Sequence, residues 1–373
     1  MKDFPKNLKS WFPGFIILTC FVISSVIYAF SIRGNQWQLF RAKGLQDKYE
    51  HFNEMVFIDE HVGFLGGRSI SDNPGQGKNI TKNADAIIYK TTDGGKTWGK
   101  KSFQKGNIES IEAKSNVIYV LKRVFTENSL NNTKSSIIKS NDQGETWKEI
   151  YNTELPLHIL KLSFSDSKKG IAVFQNQDDR SSVIIKQTMD GGKSWNSVAQ
   201  RNDFADYINI LLIEGQLHYL STKEKSHQKS VLTIINLHTE RIKKESLPEN
   251  FDARIITNDN KGNIYILGKK GKNLTILSKN LAGITSSIPV PTSFNNLSPY
   301  SLNITGDNIH LFLGEKGTII GVSKRFFVST NLGETWKEEK LKSKLYVNPI
   351  AYHEANHIWA YSGGGAIQRR IVP

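Results

Sequence analysis

Thr91-Thr92-Asp93-Gly94-Gly95-Lys96-Thr97-Trp98 recurs almost letter for letter at 140–147 (SNDQGETW), 188–195 (TMDGGKSW) and 329–336 (STNLGETW). The closing tryptophans are 49, 48 and 141 residues apart, and 141 is three periods of 47. A module of about 48 residues therefore repeats, and two copies in the long gap lack the motif.

The motif demands a tight connection. Its Ser or Thr and its Asp (Asp93, Asp142, Asp190) are short side chains that accept hydrogen bonds from turn N–H groups. Gly95, Gly144, Gly192 and Gly333 permit a left-handed backbone that other residues resist. Trp98, Trp147, Trp195 and Trp336 each bring an apolar surface whose burial is worth ~2–3 kcal/mol. Asn331 replaces the Asp in the last copy, and its oxygen still accepts.

Within a module, apolar residues alternate or run for four to six positions between Gly, Asn, Asp and Ser, the pattern of short strands. The third module reads as strands at 159–164, 171–174 and 183–187, then the motif and a fourth strand begun by Trp195. Four-stranded sheets at this period are propeller blades, whose apolar faces only neighbouring blades can cover. The same plan lays out blades from Met55, Ile108, Ile208, Arg254 and Leu302, and a last one with only three strands, at 349–352, 358–361 and 366–371. Trp37-Gln38-Leu39 supplies the missing strand and joins the two ends of the chain, leaving no open edge. The expected fold class is all-β, a seven-bladed β-propeller of four-stranded blades over 33–373.

The pattern S/T-x-D-x-G-x-T-W resembles the Asp-box, or bacterial neuraminidase repeat, of sialidases, sortilin-type receptors and photosystem II assembly-factor-like propellers. Blade 1, with F-x-D-x-x-x-G-[aromatic]-L-G-G before its box, is most similar to the last group. The resemblance implies a structural role for the boxes, at the rim and away from the central site. It hints at a protein-binding or assembly scaffold, which is a fold-level analogy.

Residues 1–32 stand apart. Lys2, Lys6 and Lys9 precede an apolar run at 11–32, long enough to cross ~30 Å of hydrocarbon at 1.5 Å per residue. This predicts one transmembrane helix as anchor, with the propeller outside the cytoplasm at the cell membrane. The rival is a cleavable signal ending near Ala29-Phe30-Ser31, which would release the protein. Cys20, the single cysteine, follows Thr19 where a lipoprotein signal expects a smaller residue, and fits the anchor interior better. A lone cysteine excludes an intrachain disulfide.

The chain carries +14. Such a surface favours an anionic protein, polysaccharide or membrane surface. The second-to-third-strand connections lie on the rim opposite the motif turns and hold sixteen cations against seven acids. The candidate binding residues are Arg68, Lys122, Arg123, Arg254, Lys269, Lys270 and Arg325, arginine being suited to bidentate carboxylate or phosphate contact. No nucleic-acid module appears among them, so nucleic acid is not an expected partner.

Catalytic chemistry finds little support. Sialidases resemble one another in an Arg-Ile-Pro, an arginine triad and a Tyr-Glu pair. Here the nearest strings are Arg254-Ile255-Ile256 and Arg370-Ile371-Val372-Pro373, and Tyr361 has no assignable triad. The nine histidines lack metal-ligand spacing, and Gly363-Gly364-Gly365 precedes no helix. No metal, cofactor or catalytic residue is expected. The alternative reading is a diverged sialidase-like or other carbohydrate-active hydrolase, whose carboxylate pair the sequence does not locate.

Overall fold

The computed structural model describes residues 36–45, 50–70, 84–126, 129–202, 207–213, 215–223, 229–239, 241–259, 261–280, 283, 285–315, 323–344, 347–353 and 357–371. The expected membrane anchor at 1–32 lies outside them; among the described residues no helix is long and apolar enough to cross a membrane.

The described strands form seven four-stranded antiparallel sheets. Blade 1 is typical: Glu50–Phe57, Gly63–Ile70, Ala84–Thr91 and Gly99–Lys105 pair in that order. Blades 2 to 6 follow from Asn107, Leu157, Tyr207, Phe251 and Ser298. First strands of neighbouring blades contact one another, so they form the inner ring around the axis. Blades 4 and 5, without the full motif, still have four strands each.

Ile350–His353, His357–Tyr361 and Ala366–Ile371 make three strands of blade 7, and Trp37–Arg41 is the fourth, pairing Trp37 with Arg370 and Arg41 with Ala366. The ring is thus closed by the two ends of the chain, as the orphan strand predicts.

The apolar core is divided. Seven buried clusters correspond to the seven blade interfaces; Leu65, Tyr89 and Trp98 of blade 1 meet Trp359, Tyr361 and Ile367 of blade 7 in one of them. Each sheet has two apolar faces and no layer above or below, so burial comes only from its neighbours.

Two expectations change in detail. The fourth strands begin one residue after the tryptophan, at Gly99, Lys148, Asn196 and Lys337. The indole is not a ladder member: Trp98 Nε1 turns back to donate to Gly95 O at 2.8 Å. In blade 2 the connection expected between 121 and 136 is instead a long hairpin, Val117–Thr126 with Ser129–Ser140, because hydrogen-bonded pairing continues through Lys122, Arg123 and Lys134.

Candidate functional site

The motif turns act as fasteners between blades. In blade 1, Thr91 Oγ1 accepts from Gly95 N at 2.9 Å, and Asp93 accepts from Thr97 N at 2.9 Å and Thr97 Oγ1 at 2.7 Å. Asp142 is matched in the same way, and the hydroxyl and N–H of Thr146 hold its carboxyl down to about 2. The hydroxyl and N–H of Ser194 likewise lower Asp190. Asn331 keeps the geometry without charge, accepting from Thr335 N at 2.9 Å. Each turn leans on the preceding blade: Gly144 packs against Phe64, Gly192 against Ile150, Gly333 against Ile288, and Gly95 against Trp359. The φ of these glycines is between +83° and +94°, where a Cβ would be strained.

The candidate binding residues lie on the other rim, where second-to-third-strand hairpins meet the starts of the first strands. Six first strands carry a bulge at one shared position, occupied by Asn53, Glu109, Leu160, Ile208, Arg254 and Tyr300. A bulge bends the strand and re-aims the extra residue. This ring of bulges carries chemistry that sequence reading missed. Asn53 Nδ2 donates to Asn107 Oδ1 at 2.8 Å and Ile108 O at 2.7 Å in the next blade, and Lys324 Nζ stands 3.3 Å over the ring of Tyr300. Burial lowers Lys324 to about 8. A signal was available: Phe52/Met55, Ile108/Ile111, Ile159/Leu162 and Ala253/Ile256 are buried pairs three apart, which an unbroken strand would put on opposite faces.

The predicted contacts are distributed around this rim rather than gathered at one point, and several already hold carboxylates. Lys122 is buried 3.4 Å from Glu149, Arg123 lies 3.4 Å from Glu109, Arg254 Nε donates to Asp252 at 3.0 Å, and Arg325 Nε donates to Glu338 at 2.9 Å. Lys269 donates to Asn295 O at 2.9 Å. By contrast Arg68, Lys134, Arg180, Lys270 and Lys272 have no carboxylate partner among the described residues, and all but half-buried Arg68 are exposed. An open cleft of about 750 Å³ between blades 5 and 6 is lined by Lys269, Lys272, Asn295, Asn296 and Glu315. The loop cations Lys78, Lys82, Lys225 and Lys316 lie outside the described residues.

On the inner strands of blades 1 to 3, Glu54 and Glu112 share the field of Lys161. Burial pushes Glu54 up to about 7 against the pull of Lys161, and it raises Glu112, although Phe164 N donates to that carboxylate at 2.9 Å. As pH rises from 4.5 to about 7, an unfolded Glu54 loses its proton while the folded one keeps it. Stability contributed by this group therefore falls through that window, by up to about 3 kcal/mol, and is level above it. Glu54→Gln is expected to leave stability at pH 5 nearly unchanged and raise it at pH 8, as read from urea midpoints.

Among the described residues no group of three or more His, Cys, Asp or Glu could hold a metal ion.

Compared with protein families and with curated proteins, the sequence matches none. Solved structures do match. YCF48 bound to D1 peptide is 15% identical with a TM-score of 0.63, covering 91% of this chain and 96% of that one. Virginiamycin B lyase from Staphylococcus aureus is 13% identical at 0.57, over 90% and 99%. The β-propeller domain of the Trilobed protease from Pyrococcus furiosus is 12% identical at 0.55, over 85% and 90%. A binding protein, a lyase and a protease domain share this architecture, so what the chain has in common with them is the β-propeller fold.

Proposed function

We propose that the chain is a non-catalytic binding propeller, an assembly scaffold that holds an anionic protein segment on the rim of second-to-third-strand hairpins. The observation that carries this reading is the set of exposed cations there, Lys134, Arg180, Lys270 and Lys272, with no carboxylate partner among the described residues, the last beside a rim cleft. Unpaired surface cations keep their field for a partner, whereas pairs such as Arg325 with Glu338 are already neutralised. The YCF48 propeller, similar in fold, is known with a bound peptide. In this reading the four motif turns are Asp-boxes, and 1–32 anchors the propeller outside the cytoplasm. A polysaccharide or a membrane surface offers the same charge and is the alternative to a protein segment.

Reversing Lys270 and Lys272 to Glu is expected to weaken crosslinked capture of the protein partner from native membranes by at least ~10-fold and to flatten its salt dependence. Reversal of buried, paired Lys122 is a poor probe, because it threatens the fold as well. Capture unchanged by the double reversal overturns the reading. Equal loss of binding to anionic vesicles or to an acidic polysaccharide transfers it to those surfaces.

One observation favours a carbohydrate-active hydrolase instead: Glu54 and Glu112, two raised carboxyls on neighbouring inner strands. Turnover on a glycoside panel that disappears in Glu54→Gln would establish it.

A further inference from the structure

The interfaces of blades 1 with 2 and 2 with 3 are built alike but charged differently. Lys90 and Lys139 each stand one residue before the motif, and Glu145 and Lys193 each occupy its sixth position. Across the first interface Lys90 Nζ forms an ion pair with the Glu145 carboxylate. Across the second, Lys139 meets Lys193 instead: burial, and then the Lys193 charge, pull the Lys139 ammonium below the ordinary lysine value.

The interface of blades 7 and 1 gives a second comparison. There the Arg369 guanidinium lies 5.0 Å from the ring centroid of Trp359, and Nη2 donates to Glu60 O at 3.3 Å. Lys139 repeats this arrangement, 4.8 Å from the ring centroid of Tyr119, with Nζ donating to Ser167 O at 3.4 Å. Arg369 has the Glu60 carboxylate in its field, but Ser167, in the corresponding place, brings none. Both carboxylates that balance this cation elsewhere are thus replaced, one by a hydroxyl and one by a second cation.

These residues border a cleft of about 730 Å³ on the motif rim, and all that line it lie within the described residues. Lys148 and Lys168 line it too, so four lysines from two blades surround one opening. Among the described residues none of the four pairs with a carboxylate. The two acids in the lining are engaged elsewhere. Asp190 accepts from Lys193 N, Ser194 N and Ser194 Oγ of its own turn, at 3.0, 3.0 and 2.6 Å. Glu149 accepts from Asn152 Nδ2 at 2.7 Å and from Ser136 Oγ, with Lys122 3.4 Å away. Packing holds the cations in place: Tyr119 stacks on Phe164 with ring centroids 3.5 Å apart and donates its hydroxyl to Ser167 O at 2.7 Å. Like charges fixed together in this way raise the local concentration of anions.

We propose that the cleft between blades 2 and 3 binds a phosphate group, free or carried on a lipid headgroup, between Lys139 and Lys193 with Lys148 and Lys168 beside them. A tetrahedral phosphate presents acceptor oxygens in several directions, which suits ammonium groups converging from two blades. A carboxylate presents its two in one plane, the geometry that arginine matches. None of these lysines belongs to the cationic rim, so the proposal goes beyond the scaffold reading and fails separately from it.

The test is lysine acetylation of the full chain in detergent, read residue by residue by mass spectrometry, with inorganic phosphate and glycerophosphoglycerol as competing ligands. Saturable protection of Lys139 and Lys193 is expected from at least one of them, with exposed Lys337 of blade 6 unaffected. Protection at lower concentration by inorganic phosphate assigns the free ion; protection at lower concentration by glycerophosphoglycerol assigns the headgroup. Lys193→Glu reproduces the pair that Lys90 makes with Glu145, so the fold should tolerate it, and the half-protecting concentration at Lys139 should rise at least ~10-fold. Ser167→Glu, which supplies the carboxylate that Glu60 brings to Arg369, should act in the same direction without removing a cation. No protection of the wild type by either ligand overturns the proposal, as does a Lys193→Glu protein protected as well as the wild type. Protection lost on reversing Lys270 and Lys272 would place the anion on the opposite rim and overturn it too.

Discussion

Trp359→Ala lowers the unfolding free energy by about 3–5 kcal/mol, the range for truncating a large buried aromatic ring, read as a shift of the urea midpoint at unchanged slope. Trp359 is fully buried at the interface of blades 7 and 1. Its indole stacks on Phe57 with ring centroids 3.8 Å apart and 5° between planes, and Nε1 donates to Gly94 O at 3.0 Å. The Arg369 guanidinium lies 5.0 Å from the ring centroid. Alanine would remove the ring, orphan the carbonyl of the motif turn and loosen the packing of blade 7 on blade 1. Trp359→Phe, which keeps the stack and loses the N–H, should cost much less, nearer the ~1 kcal/mol of a single hydrogen bond. If alanine costs under about 1 kcal/mol, the turn of blade 1 does not depend on blade 7 in the way described.

Glu339→Ala is the second large effect, again about 3–5 kcal/mol. Arg370, 4% exposed on the third strand of blade 7, donates from Nε and Nη2 to Glu339 on the fourth strand of blade 6, at 2.7 and 3.0 Å. Losing the carboxylate leaves a guanidinium buried between two sheets, with the ring of Phe326 5.7 Å away. The physical signature is non-additivity: Glu339→Leu combined with Arg370→Met should be less destabilised than Glu339→Ala alone, because no unpaired charge remains. Equal or greater damage in the double variant would mean that the pair contributes net stability.

Much of this was legible in the letters. Four motif copies at a constant period set the blade length, and Trp37-Gln38-Leu39, a strand without a blade, pointed to the closure that Trp37–Arg41 makes with Ala366–Ile371. Those features are local: a turn needs its glycine and its acceptor within eight residues, and a strand needs its alternation. The rim was less legible. Arg123, Arg254 and Arg325 could be listed as cations, but their engagement with Glu109, Asp252 and Glu338 depends on which strands pair. Glu54 and Glu112 were invisible among 35 acids, since nothing near them in sequence marks the desolvation that raises both.

The sequence alone therefore determined the repeat, the blade count and the way the ring closes, because each is written in short-range patterning repeated at fixed distance. Only the tertiary structure decided which side chains share each of the seven interfaces and that each motif turn fastens its own blade to the one before it. Those are statements about neighbours far apart in the chain. A blade's own residues specify its hydrogen bonds, but what covers its faces is set by the blades on either side.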